Sequence, residues 1–232
     1  MKIGIFTDSH YSSQEITCGK RYNSKSLLKT RQAYSHFQAE QCELVIFLGD
    51  LIDKEDSHIK EIENLKEIAR VINDSNIPTV CLMGNHDAFA FTVDEFYKIL
   101  GDCHMPTNKH IEGKNLLFID ACYFKNGNHY GPGDTDWKDT YFPYASEMRG
   151  ELESLKGEIY IFMHQNIDSS IPENHRLYNA KELREMIEGC GKVKTVYQGH
   201  YHPGKQSMEN GVRYVTLPAM CENDKAYFVI EI

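Results

Sequence analysis

An α/β fold is predicted by three features of the chain. Short apolar runs of strand character alternate with polar stretches that carry apolar residues at helical spacing. The strand-like runs are bounded by Gly, Asp or Asn, and two further closely spaced runs close the C-terminal end. The alternation calls for parallel crossovers in the first half, and the last two runs look like antiparallel finishing strands, so a layered α/β sandwich fits best.

In order, Lys2 to Thr7 (KIGIFT), Leu44 to Leu48 (LVIFL), Thr79 to Met83 (TVCLM), Leu116 to Ile119, Ile159 to Met163 (IYIFM) and Val193 to Tyr197 are rich in Val, Ile and Phe and short enough to be buried strands. Between them, Ser24 to Gln41, His58 to Asn73 and Asn179 to Glu188 read as amphipathic helices; in the second, Ile59, Ile62, Leu65, Ile68 and Ile72 form one apolar stripe. The stretch from Tyr123 to Tyr144 breaks the rhythm. It sets Gly127, Gly131, Pro132, Gly133 and Pro143 among Asn, Asp and aromatic residues and reads as a long loop. Val212 to Leu217 and Ala226 to Ile232 are the closing strands. No internal repeat, low-complexity tract or linker-like composition shift interrupts the chain, so residues 1–232 read as one domain with a lid or insertion at about 123–144.

With 232 residues and 41% hydrophobic composition, one substantial core can close. A formal charge of −9 and a pI near 5.6 work against a surface that gathers polyanions, which makes duplex nucleic acid a poor partner. The seven cysteines are odd in number, scattered and without a Cys-x-x-Cys pair, as expected of reduced thiols. No signal-like segment precedes the first strand and no apolar stretch reaches membrane-spanning length, so a cytoplasmic protein without membrane contact is expected. Against that background the tripeptide Asn73-Asp74-Ser75 carries no weight as a glycosylation signal.

Five clusters carry the chemistry: Asp8-Ser9-His10, Gly49-Asp50, Gly84-Asn85-His86-Asp87, a lone His164, and Gly199-His200-Tyr201-His202. Four directly follow a strand-like run and His164 ends another. Open α/β sheets bind ligands at the carboxyl ends of their strands, so the clusters should converge. In an extended backbone residues two apart point the same way, which would make Asp8 with His10, and His200 with His202, two pincers. All are hard or borderline N/O donors, suited to Mn, Fe or Zn ions chelating a phosphate, and no cysteine is among them. Any one cluster has an ordinary explanation as a turn, cap or core histidine. Their joint appearance in this order does not.

In these motifs the chain resembles the calcineurin-like metallophosphoesterase superfamily, whose pattern runs D-x-H, G-D, G-N-H-D/E, H and G-H-x-H. The resemblance covers nearly the whole chain. It implies a four-layer αββα sandwich of two mixed sheets flanked by helices, with the site at the mouth of the two facing sheets. It also implies two divalent or trivalent transition-metal ions. Asp8, His10, Asp50 and His202 would hold one, and Asp50, Asn85, His164 and His200 the other, with Asp50 bridging. His86 would donate a proton and Asp53 would orient it. Two divalent ions against the two carboxylates Asp8 and Asp50 leave a net positive pocket that draws an anionic substrate.

The expected reaction is in-line attack on phosphorus by a hydroxide bridging the two metals, with the pKa of water lowered to about 7 by the first ion alone. The expected substrate is a small or nucleotide-like phosphodiester or phosphomonoester. Tyr11, directly after the first cluster, is a candidate substrate contact, and Trp137 in the long loop a candidate stacking partner for a base or ring.

Ser/Thr protein phosphatases of this superfamily carry Arg-Gly after the residue matching Asp53; here Lys54 and Glu55 follow, which argues against that activity. Gln165-Asn166 after His164 departs from the His-His or His-x-Pro often found in cyclic-nucleotide phosphodiesterases and speaks against a cyclic nucleotide. Two alternatives stand beside the hydrolase. One is a DNA-repair-type exonuclease of the same superfamily, disfavoured by the net charge; the other is a non-catalytic scaffold, disfavoured by seven acceptable ligands.

Overall fold

The apolar runs pair into two sheets whose outer faces are covered by helices. A computed structural model describes residues 1–134, 136, 137 and 140–232. The first sheet has the order β10-β1-β2-β3, from β1 (Lys2–Phe6), β2 (Leu44–Phe47), β3 (Thr79–Cys81) and β10 (Tyr227–Glu231). β1, β2 and β3 are parallel and β10 runs antiparallel to β1. The second has the order β4-β5-β6-β7-β9-β8, from β4 (Lys109–Ile111), β5 (Lys114–Ile119), β6 (Glu158–Met163), β7 (Val193–Gln198), β8 (Lys205–Glu209) and β9 (Val212–Thr216). β5, β6, β7 and β9 are parallel, with β4 and β8 antiparallel on the edges.

Strand periodicity places alternate side chains in different layers. Ile3, Ile5, Ile46, Leu48 and Val80 of the first sheet meet Leu116, Phe162, Tyr197 and Val215 of the second in the buried seam between the sheets. Phe162 and Tyr197 stack there with centroids 5.2 Å apart. The opposite side chains of the first sheet, Phe6, Val45, Phe47 and Cys81, pack on α1 (Ser26–Ala39), α2 (His58–Asp74) and α4 (Val93–Leu100). Leu117, Ile161, Met163 and Val196 of the second pack on α5 (Ala145–Ser154) and α6 (Ala180–Cys190). Three apolar seams therefore separate four layers, in the order αββα, as expected.

Several local expectations need correction. The closing strands do not pair with each other: β9 lies parallel to β7 in one sheet, and β10 lies antiparallel to β1 in the other. β4 (KHI) and β8 (KQSME) escaped the sequence reading because edge strands without a fully buried face carry no apolar run. α3 (Asn85–Ala90), α4 and α5 were also missed; for α4 the signal was present, since Thr92 caps the helix by accepting a hydrogen bond from the Glu95 amide at 3.3 Å. In α2 the stripe begins one turn later than predicted, for Ile59 is 69% exposed.

The segment 123–144 encloses the three positions outside the described set. Its described residues form no helix or strand beyond isolated bridges from Tyr123 to His129 and Tyr141. Tyr130 anchors it, buried against Phe89 and Phe124 with ring centroids 5.2 and 4.3 Å away. All seven cysteines are free thiols. Among the described residues no helix is long and apolar enough to cross a membrane.

Candidate metal centre

The loops that follow β1, β2, β7 and β9 are tied to one another by backbone hydrogen bonds. Asp8 N donates to Gly49 O and His10 N to Asp50 O, each at 3.0 Å. Cys221 N donates to Asp8 O at 3.0 Å, and Ala219 N to His202 O at 3.0 Å. Asp8, His10, Asp50 and His200 all have positive φ, 52°, 43°, 54° and 66°. The pincers are therefore not extended segments; left-handed backbone turns each donor inward. Such conformations cost non-glycine residues on the order of 1–3 kcal/mol each and cluster at functional sites. The neighbouring glycines permit the close approach: a Cβ at Gly84 would lie 2.1 Å from Asp50 Oδ1, and one at Gly199 2.2 Å from Thr7 Oγ1.

Around the first candidate ion position, His10 Nε2 stands 3.1 Å from His202 Nε2, 3.4 Å from Asp50 Oδ2 and 3.6 Å from Asp8 Oδ1, while His202 Nε2 is 3.4 Å from Asp8 Oδ1. Adjacent ligands held at about 2.0–2.2 Å from one ion are roughly 2.8–3.6 Å apart for right to tetrahedral angles, so these spacings suit a shared cation. Around the second, Asp50 Oδ2 is 3.3 Å from His164 Nε2, and a nitrogen of His200 joins them within 4.8 Å. Asp50 Oδ2 thus faces both groups. Its Oδ1 accepts the His86 amide at 2.9 Å, so Oδ2 is the oxygen left facing the two groups of donors.

The donors are also oriented for ligation. His164 Nδ1 is engaged by Leu48 O at 2.9 Å, which fixes the ring and turns Nε2 to the cluster. Asp8 Oδ2 accepts from Thr7 Oγ1 at 2.6 Å and His200 N at 3.0 Å, leaving Oδ1 inward. Asp8 Oδ1, Asn85 Oδ1 and His164 Nε2 are buried without a hydrogen-bond partner, an arrangement expensive in a folded interior unless a cation answers it. Burial opposes ionisation of Asp8 and Asp50, yet the surrounding imidazoles hold both well below the usual carboxylate range. Burial pushes His10 down to about 4 and His200 down to about 3, keeping their lone pairs free, whereas at His164 and His202 the neighbouring carboxylates outweigh burial and raise the pKa, to about 9 for His164, so a cation bound there would displace a proton. Anionic oxygens and neutral nitrogens are the donor set a divalent transition metal takes.

The family model of calcineurin-like phosphoesterases matches residues 1–204. The chain belongs to that family. It is accordingly a metal-dependent phosphoester hydrolase. It is 25% identical to a probable cyclic nucleotide phosphodiesterase of Psychrobacter arcticus, over 95% of this chain and 76% of that protein. It is also 25% identical to the 3′,5′-cyclic adenosine monophosphate phosphodiesterase of Haemophilus influenzae, over 100% of this chain and 81% of that one. Its fold matches a dimetal phosphatase of Danio rerio with a TM-score of 0.83 at 15% identity, covering 98% of this chain and 91% of the other.

Beside the phosphoesterase's candidate metal-binding groups, His86 occupies the first turn of α3 with Nδ1 2.8 Å from Asp53 Oδ1. Asp53 is itself pinned: Oδ2 accepts from Asn23 Nδ2 at 2.9 Å and Thr17 Oγ1 at 3.0 Å, with Arg21 Nη1 at 3.4 Å. Burial lowers His86, but Asp50 and Asp53 outweigh it and raise its pKa. Asp87, left without a role by the sequence, accepts the amides of Gly84 at 2.9 Å, Leu51 at 2.9 Å and Ile52 at 3.2 Å. It thereby locks the Asp50 loop to the start of α3; burial and Asp50 push its carboxyl up to about 7.

Tyr11 is not placed as a substrate contact: its ring packs against the helix-side core and its hydroxyl donates to Glu67 of α2. Trp137 does reach the site, its ring stacked on His175 at 5.3 Å and edge-on to His200 at 5.1 Å. Gln165 and Asn166 are buried. Asn166 holds Gly199 O at 2.8 Å and accepts from Thr216 Oγ1 at 2.7 Å, so their departure from the family's common residues concerns the scaffold and loses its force as an argument about substrate.

The sequence reading missed Arg21, Asn23, His175 and Glu222. Glu222 accepts from His202 Nδ1 at 2.5 Å and pairs with Lys20 at 3.0 Å. None of the four stands in a motif; only chain folding brings them to the site. Cys221 was missed likewise. Its buried sulfur lies within 4.8 Å of donor atoms of His10 and His202, and burial pushes the thiol up.

Proposed function

We propose that this phosphoesterase hydrolyses phosphodiesters of nucleotide-like character, using two ions from among Mn, Fe and Zn. The observation that carries the reading is the position of Asp50 Oδ2, 3.4 Å from His10 Nε2 and 3.3 Å from His164 Nε2, in a cavity of about 250 Å³ that His86, Trp137 and Arg21 also line. Asp8, His10, Asp50 and His202 would hold one ion and Asp50, Asn85, His164 and His200 the other. Bound there, such ions supply Lewis-acid neutralisation of phosphoryl charge and acidify water.

The chain's own residues do the rest. Asp53 engages His86 Nδ1, so Nε2 is the nitrogen left to hold and deliver a proton to the departing oxygen. Arg21 adds a fixed positive charge beside the phosphate position. Trp137, standing over His200, closes one side of the cavity and excludes water from it. A diester is favoured over a monoester because the cleft continues beyond His86, leaving room for a second organic substituent. The names of the bacterial relatives support a nucleotide diester, cyclic nucleotides included. The free cysteines support a reducing compartment such as the cytoplasm.

The test is metal-dependent hydrolysis of bis-p-nitrophenyl phosphate against p-nitrophenyl phosphate with Mn, Fe or Zn, followed by 3′,5′-cyclic and linear nucleotide diesters. Faster turnover of the diester supports the reading. A preference for the monoester overturns the diester assignment, and hydrolysis of neither ester with any metal overturns the whole.

A further inference from the structure

Past His86 the cleft opens into a second cavity of about 520 Å³, about twice the volume of the one over the metal-binding groups. The two share Cys18, Arg21, His86 and Trp137, so they are chambers of one cleft. The second is walled by Phe89, Ala90, Pro132 and Trp137, with Lys54 and His58 among its polar lining residues. Its walls are built into the fold. Phe89 is backed by the buried Tyr130 ring at 5.2 Å, and Gly133 N donates to Phe89 O at 3.1 Å, tying the loop to the helix beneath.

Phe89 and Ala90 stand three and four residues after His86 on α3, the spacing that puts side chains on one helix face. One face therefore presents a histidine and, beside it, an aromatic wall. A proton donor must lie against the oxygen that departs. Whatever that oxygen carries must then extend on the far side of His86 from the metal-binding groups.

We propose that this apolar chamber receives the leaving alcohol of the diester and is shaped for a flat ring, a nucleobase or aryl group, while the retained phosphoryl half stays over the metal-binding groups. The inference rests on the hydrolytic reading and adds its polarity. Water's oxygen bonds to phosphorus, the bond from phosphorus to the ring-bearing oxygen breaks, and that oxygen takes the proton.

Adenosine 5′-(methyl phosphate) decides the polarity, because its two leaving oxygens are both primary alkoxides and position alone selects between them. The metal-loaded enzyme is expected to release adenosine and methyl phosphate in at least tenfold excess over AMP and methanol. Phe89→Ala is expected to raise KM for this ester about tenfold or more and to erode that excess. Trp137 is the single tryptophan and lines both chambers, so adenosine alone, titrated into metal-free protein, should quench its emission. Phe89→Ala should weaken that binding about tenfold. Phe89→Leu, which keeps the side chain's contact with Tyr130, should bind at an intermediate level and guards against misfolding. AMP and methanol as the main products overturn the proposal, as does quenching unchanged in both variants. Because the titration needs no turnover, it separates failure of the chamber from failure of the hydrolytic reading.

Discussion

Removing the Glu222 carboxylate should loosen the metal centre without dismantling the fold. Its Oε1 accepts from His202 Nδ1 at 2.5 Å and its Oε2 meets Lys20 Nζ at 3.0 Å, with only 14% of the side chain exposed. The bond fixes the Nδ1–H tautomer of His202 and leaves the lone pair on Nε2, which lies 3.1 Å from His10 Nε2 and 3.4 Å from Asp8 Oδ1. Without it, Nδ1 competes for the lone pair and the ring is free to rotate. Loss of such an outer partner typically weakens a metal site about 10- to 100-fold, which is about 1.4–2.7 kcal/mol at about 1.36 kcal/mol per decade. Glu222→Ala should lie within that range, and Glu222→Gln, which keeps an acceptor but loses the charge, near its lower end. The assay is calorimetric titration of Mn²⁺ and Zn²⁺ into metal-free protein, with urea unfolding of the same metal-free samples as control. A purely structural role would lower the urea midpoint and leave affinity alone; metal affinities within twofold of the parent in Glu222→Ala would refute the reasoning.

His86→Ala should slow alkyl phosphodiesters by about 10²- to 10⁴-fold and p-nitrophenyl esters far less, since nitrophenolate needs little protonation; equal losses on both in steady-state kinetics would remove the proton-donor assignment. Gly84→Ala puts a methyl group 2.1 Å from Asp50 Oδ1 and 2.4 Å from Asp50 N, so it should cost about 1–3 kcal/mol of stability in urea unfolding and reduce bound metal measured by elemental analysis. His129 bonds Tyr130 O at 2.7 Å through Nδ1 and Asp120 Oδ2 at 2.9 Å through Nε2; burial lowers its pKa, but Asp120 outweighs that and raises it. A raised folded-state pKa means the stabilisation is complete below about pH 6.5 and is lost as pH climbs through the raised value. The stability lost in His129→Asn should therefore be largest at pH 5.5 and shrink by pH 9, which urea midpoints at the two pH values will show.

The α/β class, eight of the ten strands among the described residues and the seven metal-binding candidates were legible in the sequence because each rests on local pattern. A buried parallel strand must be apolar over its length, and a donor that follows such a strand must lie at the sheet's carboxyl edge. Asp8, Asp50, Asn85, His164 and His200 all follow that rule. What local pattern could not supply was everything set by long-range closure. The edge strands β4 and β8 lack a buried face to mark them, and β9 and β10 joined different sheets because the pairing of a closing strand is decided by which edge is open.

The same division runs through the site. Residue type and order in the sequence determined which atoms can bind metal and that phosphoester chemistry follows. Only the tertiary structure decided that Asp50 turns Oδ2 rather than Oδ1 to both groups of donors, that Tyr11 turns away to Glu67, and that Glu222, 20 positions further along the chain, buttresses His202. It also decided that α3 sets an aromatic chamber beside His86. Donor chemistry belongs to the side chain and survives in the one-dimensional record; direction and distance belong to backbone turns and packing, which exist only once the chain has closed.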